Sequence, residues 1–311
     1  MNKYNIHSDF DELKNTKLPF YPIILPVLNK LVQRKNNQMD LPDNVKVSNE
    51  KIKGYKGEEI SIIIYEPINI VTEDCLVYFH GGAFAIKEAP YHINLCIDYA
   101  LNTPCKVVFV NYRLLPKHKF PVGLEDCYAA SKWVSDNADK LKINKEKIAV
   151  GGDSAGGALA AGVTLLGRDR DEFNINFQML IYPVLSKKQN TNSMKKYDDT
   201  PMWNSKLNEK MWKLYLKDTS SNENYASPMD AESHNNLPDA YIEVAEFDCL
   251  RDEGIDYAEA LKNEQVAVQL NMTQGTVHGY DMVESSGIVA QNKALRIKAL
   301  QNAFDINAEK F

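Results

Sequence analysis

Ser154 stands in the run Gly152-Asp153-Ser154-Ala155-Gly156-Gly157, which closes an apolar stretch and opens a helical pattern. A Gly-x-Ser-x-Gly at a strand-to-helix turn forces its serine into a strained backbone conformation. The hydroxyl is then exposed at a helix N-terminus, where developing negative charge is favoured. The flanking glycines are required because side chains there would collide with the neighbouring strand and helix. The chemistry this predicts is nucleophilic attack by Ser154. A phosphate-binding reading fails on spacing, since the run is neither Gly-x-Gly-x-x-Gly nor a loop ending in Gly-Lys-Ser/Thr.

A serine hydroxyl is a poor nucleophile near neutral pH and needs a base. The chain has six histidines, of which only His234 and His278 follow Ser154, where the order nucleophile, acid, base would place it. His278, beside Gly279 just after the last predicted strand, is preferred; His234, in a Ser-His-Asn-Asn stretch that reads as a surface loop, is the alternative. His7, His92 and His118 read as surface or hydrogen-bonded loop residues. The base needs an orienting carboxylate. Asp248 ends the strand-like Glu-Val-Ala-Glu-Phe-Asp and is preferred over Asp252, which with Glu253 reads more simply as charge at a helix start. An oxyanion needs preorganised donors. His80-Gly81-Gly82-Ala83 follows an earlier strand, and its small residues let the N–H groups of Gly81, Gly82 and Ala83 approach; the Ala155 amide adds another. His80 itself is expected to hold this loop by hydrogen bonding.

The elements that must position these residues alternate. Strand-like runs at 60–65, 75–79, 106–110, 148–150, 177–181, 240–245 and 267–273 are interleaved with helical patterns at 91–101, 124–136, 155–166, 254–262 and 290–303. This predicts an α/β fold with a mostly parallel sheet, whose ligands bind outside the carboxyl ends of the strands. Two segments break the rhythm. The first 45 or so residues carry Pro19, Pro22, Pro26 and Pro42 and predict short helices. Lys188–Ala226 is polar and Asn-rich, with Trp203, Trp212 and Tyr215 spread through it. Both are expected to fold over the site as a cap, making one α/β domain with a cap instead of two domains. Trp203 and Trp212 are candidate substrate contacts in an acyl pocket; cap core is their plainer reading. Phe20–Leu28, about a third to a half of a membrane span, reads as a buried or lid segment.

The 311 residues are 44% hydrophobic and 25% charged, which excludes disorder and coiled coil as the dominant state. The net charge of −6 argues against non-specific attraction to nucleic acid or anionic membrane. Five cysteines, odd in number and scattered, argue against a disulfide framework or zinc site and predict a reducing, cytoplasmic setting. The stretch to Thr16 is polar and lacks the apolar core of a signal peptide.

Four blocks in this order, His-Gly-Gly-Ala at 80–83, Tyr-Arg-Leu-Leu-Pro at 112–116, Gly-Asp-Ser-Ala-Gly-Gly at 152–157, and Asp-Cys-Leu-Arg-Asp-Glu at 248–253 with His-Gly-Tyr at 278–280, resemble the hormone-sensitive-lipase-like branch of the α/β-hydrolases. The resemblance runs from about Asp74 to the last helix. It implies an α/β-hydrolase fold and esterase or lipase activity, usually on short acyl chains, without metal or organic cofactor. It also implies a cap from the N-terminal stretch and an insertion, and dimers are common among similar proteins. Carried over by position, Ser154 is nucleophile, His278 base and Asp248 its partner, with Gly82, Ala83 and Ala155 as oxyanion donors. Ala83 replaces the family's third motif glycine, Lys117 stands where the family has an acid, and Tyr280 replaces a phenylalanine. These departures bear on substrate fit, not on the reaction. The residues themselves leave ester and amide or formamide hydrolysis open. The intact Ser154, Asp248 and His278 argue against a retired ligand-binding scaffold, and the absence of a strongly apolar lid argues against a general lipase.

Overall fold

The computed structural model describes residues 3–69, 72–219 and 221–306. Its strands are β1 (Val45–Lys53), β2 (Glu59–Pro67), β3 (Cys75–Phe79), β4 (Lys106–Asn111), β5 (Ile148–Asp153), β6 (Phe177–Ile181), β7 (Asp239–Phe247) and β8 (Val268–Val277). The α-helices are α1 (Leu25–Asn36), α2 (Pro90–Asn102), α3 (Val122–Asp136), α4 (Ala138–Leu141), α5 (Ala155–Arg170), α6 (Asn192–Lys196), α7 (Ser205–Tyr215), α8 (Glu223–Ala226), α9 (Arg251–Asn263) and α10 (Gly287–Ala303). The strands form one eight-stranded sheet in the order β1-β2-β4-β3-β5-β6-β7-β8. From β4 to β8 all pairings are parallel; β2 joins β4, and β1 joins β2, antiparallel.

Successive strand residues face opposite sides of a sheet. In β4, Val108 and Val110 join one core with Leu124 of α3, Leu159 of α5 and Leu261 of α9. Val107 and Phe109 join the other with Tyr99 of α2 and Leu300 of α10. Burial on both faces explains why β3 to β6 are continuous apolar runs in the sequence. β1 was not signalled. Only Val45 and Ile52 of its nine residues are buried, because it is an edge strand made mostly of lysine and other polar residues. β7 and β8 also run further than their apolar patterns, to Phe247 and Val277. Asp248 and His278 are therefore each the first residue past a strand.

Beneath these strand ends lies a buried charge cluster. The Arg296 guanidinium of α10 donates to Glu243 of β7 at 2.5 Å and to Asp281 at 3.0 Å, and the Tyr280 hydroxyl donates to Glu243 at 2.6 Å. Burial opposes ionisation of both acids; Arg296 outweighs it at Glu243, which is held below the usual carboxylate range, whereas burial wins at Asp281. Removing one member of such a cluster leaves uncompensated charge in the core. Arg296→Leu should therefore cost about 3–5 kcal/mol of stability. Urea denaturation measures this, and a loss below about 1 kcal/mol, the scale of a surface pair, would contradict it.

Candidate active site

β3 and β5 are neighbours, with Phe79 opposite Gly152. The sheet order turns back between them, and ligands bind at such a switch point. The two chains approach so closely that a Cβ on Gly152 would lie 2.3 Å from the Phe79 carbonyl oxygen, and one on Gly156 only 1.9 Å from it. With no side chains to intervene, the backbone turns directly from β5 into α5. Ser154 takes φ 56° and ψ −118° at the turn, an uncommon conformation for a residue with a Cβ. Its N–H donates to the Ile181 carbonyl at 2.8 Å, and its own carbonyl accepts from Ala158 at 3.1 Å, which fix the turn from both sides.

The three residues singled out in the sequence meet at the strand ends. Ser154 Oγ lies 2.8 Å from His278 Nε2, and His278 Nδ1 lies 2.7 Å from Asp248 Oδ2. The Asp248 carboxylate accepts the Nδ1–H, which leaves Nε2 free to accept the serine proton. Asp248 is fully buried, and its second oxygen accepts from the Leu250 N–H at 3.0 Å. The alternatives are accounted for elsewhere. Asp252 and Glu253 open α9, as expected, and accept backbone N–H groups from Ser193 and Leu185 respectively. His234 is not on the surface as its polar neighbours suggest; it is buried, with Nε2 at 2.9 Å from the Pro228 carbonyl. It takes no part in the constellation.

The loop after β3 requires one correction. The Gly81 N–H donates to Asp153 at 3.0 Å, so it is committed within the protein and leaves the expected set of oxyanion donors. Among the described residues the N–H groups of Gly82 and Ala83 have no protein acceptor. Ala83 has φ 54°, so its methyl group sits in a conformation costing about 1 kcal/mol that a glycine would avoid. His80 holds the loop as expected: Nδ1 meets the Gly81 carbonyl at 2.6 Å and the ring stacks on Tyr112 at 4.5 Å. Its burial pushes the imidazole down to about 4.

Asp153 is the hub joining this loop to the Ser154 turn. Besides Gly81, it accepts from the Tyr78 hydroxyl at 2.9 Å, the Tyr91 hydroxyl at 3.3 Å and His92 Nε2 at 3.1 Å. His92 is therefore no surface or loop residue; it is buried in the first turn of α2, and its Nδ1 accepts the Ala89 N–H. Burial works against ionisation of Asp153, but His92 and Tyr78 outweigh it and hold the carboxyl down at about 2. The motif placed Asp153 beside Ser154, yet gave no sign of this role, because its partners come from three other elements.

The two segments outside the alternation meet each other here. Thr16 accepts from the Met202 N–H at 2.9 Å, and Phe20 packs edge-on to Trp203 at 5.9 Å. The Trp203 ring lies 6.2 Å from the His278 ring, while Trp212 packs 6.1 Å from Tyr215, which stacks on Phe84 at 3.9 Å. Both tryptophans are buried. Tyr182 was missed: its ring lies 4.9 Å from His278 and its hydroxyl donates to Asp281 at 2.7 Å, linking His278 to the Arg296 cluster. Its place directly after β6 is the signal that could have found it. The lid expected at Phe20–Leu28 is only partly buried; Phe20 and Leu25 are inside, whereas Tyr21, Ile23, Ile24 and Val27 are exposed.

No helix among the described residues is long and apolar enough to cross a membrane. The alpha/beta hydrolase fold family model matches residues 76–282. The chain is 37% identical to esterase LipI of Mycobacterium tuberculosis over 216 residues, 69% of this chain and 67% of that protein. It is 34% identical to an arylesterase of Saccharolobus solfataricus over 224 residues, 71% and 73% of the two chains. Among solved structures it superposes on a bacterial heroin esterase with a TM-score of 0.89 and 32% identity, covering 96% of this chain and 98% of that one. The chain belongs to the alpha/beta hydrolase fold family, in its hormone-sensitive-lipase-like branch, and is a carboxylic ester hydrolase.

Proposed function

We propose that the protein is a serine carboxylesterase acting on short-chain acyl esters through an acyl-enzyme. The observation that carries this is the unbroken line from Ser154 Oγ through His278 to Asp248, with both links under 3 Å, at 2.8 and 2.7 Å. Ser154 Oγ attacks the ester carbonyl as His278 Nε2 takes its proton. The tetrahedral oxyanion is held by the amides of Gly82, Ala83 and Ala155, the last at the first turn of α5, where the helix dipole adds to the donor. His278 then gives its proton to the departing alkoxide, leaving Ser154 acylated. Water attacks the acyl-enzyme with His278 again as base, and the acid leaves. Asp248 fixes the tautomer and stabilises the imidazolium throughout.

In this reading Asp153 is a positioning residue. It holds the oxyanion loop against the nucleophile turn and consumes the Gly81 N–H in doing so. The described parts of about 1–45 and about 188–226 form a cap over the strand ends. Trp203, near the base, is the better substrate contact of the two tryptophans, and Trp212 is cap core. Five free, buried cysteines support the reducing cytoplasm as its setting. Amide hydrolysis by the same triad passes through the same tetrahedral species, and a matched ester and anilide pair separates the two.

Across p-nitrophenyl esters from acetate to palmitate, kcat/KM should peak at the short chains; a maximum at palmitate would contradict this specificity. Ser154→Ala should abolish turnover while leaving the fold intact by circular dichroism, and substantial residual activity in a clean preparation would remove Ser154 from its role. Asp153 makes a prediction about acid stability. Its carboxyl is depressed from an ordinary 3.8 to about 2, so its contribution is present above the ordinary value and lost as the pH falls through the folded one. Between about pH 4 and about pH 2 the wild type should lose about 2 kcal/mol more stability than Asp153→Asn. Urea denaturation of both proteins across that range checks it, and equal losses would show that Asp153 is not held ionised in the fold.

A further inference from the structure

Helix α1 carries apolar side chains on both of its faces. A surface helix ordinarily buries an apolar stripe and presents its polar face to water. In α1 the side toward the protein carries the buried Leu25 and the half-buried Leu28, Asn29, Val32, Gln33 and Asn36. Its asparagines also attach the helix by hydrogen bonds: Asn29 donates to the Ala85 carbonyl and accepts from the Lys87 N–H, both at 2.9 Å, and Asn36 donates to the Glu88 carbonyl at 2.7 Å. The side toward solvent is apolar. Ile24, Val27 and Leu31 lie one turn apart, with Val27 61% and Leu31 52% exposed, and Tyr21 and the 87%-exposed Ile23 precede them.

The charge around this stripe has one sign. Residues 16–39 contain Lys17, Lys30, Arg34 and Lys35 and no acid, in a chain whose net charge is −6. Helical spacing puts Lys30 and Arg34 along one flank of the Val27–Leu31 row and Lys35 along the other. Among the described residues none of the three is within ion-pair distance of a carboxylate, unlike Lys206 and Lys213 on nearby α7. Lys210 of α7 adds a further exposed cation, 5.7 Å from the Tyr21 ring. An apolar row between two basic flanks is the pattern of a helix that lies in the plane of a lipid interface. The acidity of the whole chain argues against such adsorption, and α1 reverses that locally.

We propose that the Tyr21–Leu31 face docks on an anionic lipid surface. The exposed apolar side chains enter the boundary between headgroups and acyl chains, and Lys30, Arg34 and Lys35 meet the anionic headgroups. The test is co-sedimentation of the full chain with vesicles of phosphatidylcholine alone and with added phosphatidylglycerol. Binding should be about tenfold tighter to the anionic vesicles and should weaken as salt is raised. Val27→Ser with Leu31→Ser, and separately Lys30→Glu with Arg34→Glu, should each weaken it by about tenfold. Circular dichroism and hydrolysis of a water-soluble ester should match the wild type in both variants, since these side chains face away from the catalytic residues. Failure to sediment with either vesicle, or binding that neither variant changes, would overturn the proposal. So would a dimer by light scattering that the Val27/Leu31 variant dissociates, because the face would then belong to a second copy of the chain.

Discussion

The carbonyl oxygen of Phe79 occupies the space where a side chain on Gly152 or Gly156 would have to be, 2.3 Å from one ideal Cβ and 1.9 Å from the other. The architecture of the site depends on that close approach. It lets β5 turn into α5 without a wider loop, and it holds Ser154 in a left-handed backbone conformation with its hydroxyl toward His278. It also brings the end of β3 alongside the same turn, so the residues able to hold an oxyanion and the residue able to attack sit on adjacent strands. A Gly81 side chain would strike the Asp153 carboxylate, at 2.3 Å. Gly152 and Gly156 thus answer the contact of two backbones, and Gly81 answers the carboxylate that its own N–H meets.

Electrostatics complete what the backbone begins. Two buried clusters flank the Ser154–His278–Asp248 line. Asp153, with Tyr78, Tyr91 and His92, ties α2 and the loop after β3 to the nucleophile turn. Arg296, with Glu243, Asp281 and Tyr280, ties α10 to β7, and through Tyr182 reaches the ring of His278. Buried ions of this kind are a poor source of net stability, because desolvation offsets most of their attraction. Their consequence is geometric: each fixes the elements beside a reacting residue in one arrangement.

Much of this was legible in the sequence, and the exceptions share a cause. Gly-Asp-Ser-Ala-Gly-Gly, His-Gly-Gly-Ala, Asp248 and His278 could be placed because turn residues and apolar runs mark strand ends locally. β3 to β6 could be found because burial on both faces makes them continuously apolar. β1 could not, because an edge strand has little to bury and reads as polar. His92 and His234 were misjudged for another reason: their sequence neighbours are polar, but their environments are set by chain segments the local pattern does not contain, such as Asp153, 61 residues from His92. The Gly81 amide was assigned by its position in the motif, whereas its hydrogen bond depends on a carboxylate from another strand. In α1 the pattern did not show which apolar residues point inward; Asn29 and Asn36, by bonding to the chain beneath, set Leu25, Leu28 and Val32 toward the protein and leave Val27 and Leu31 to solvent.

In the proposed reaction the proton of Ser154 is drawn toward His278, and the oxygen is thereby made a nucleophile. Labelling with a fluorophosphonate, followed by peptide mass spectrometry, tests it most directly, since the phosphorus is attacked by an activated serine with loss of fluoride. The predicted result is a single adduct on Ser154 that inactivates the enzyme in step with its formation and is lost in His278→Ala. An adduct on another residue, or an unlabelled Ser154 in an enzyme that stays inactivated, would contradict it.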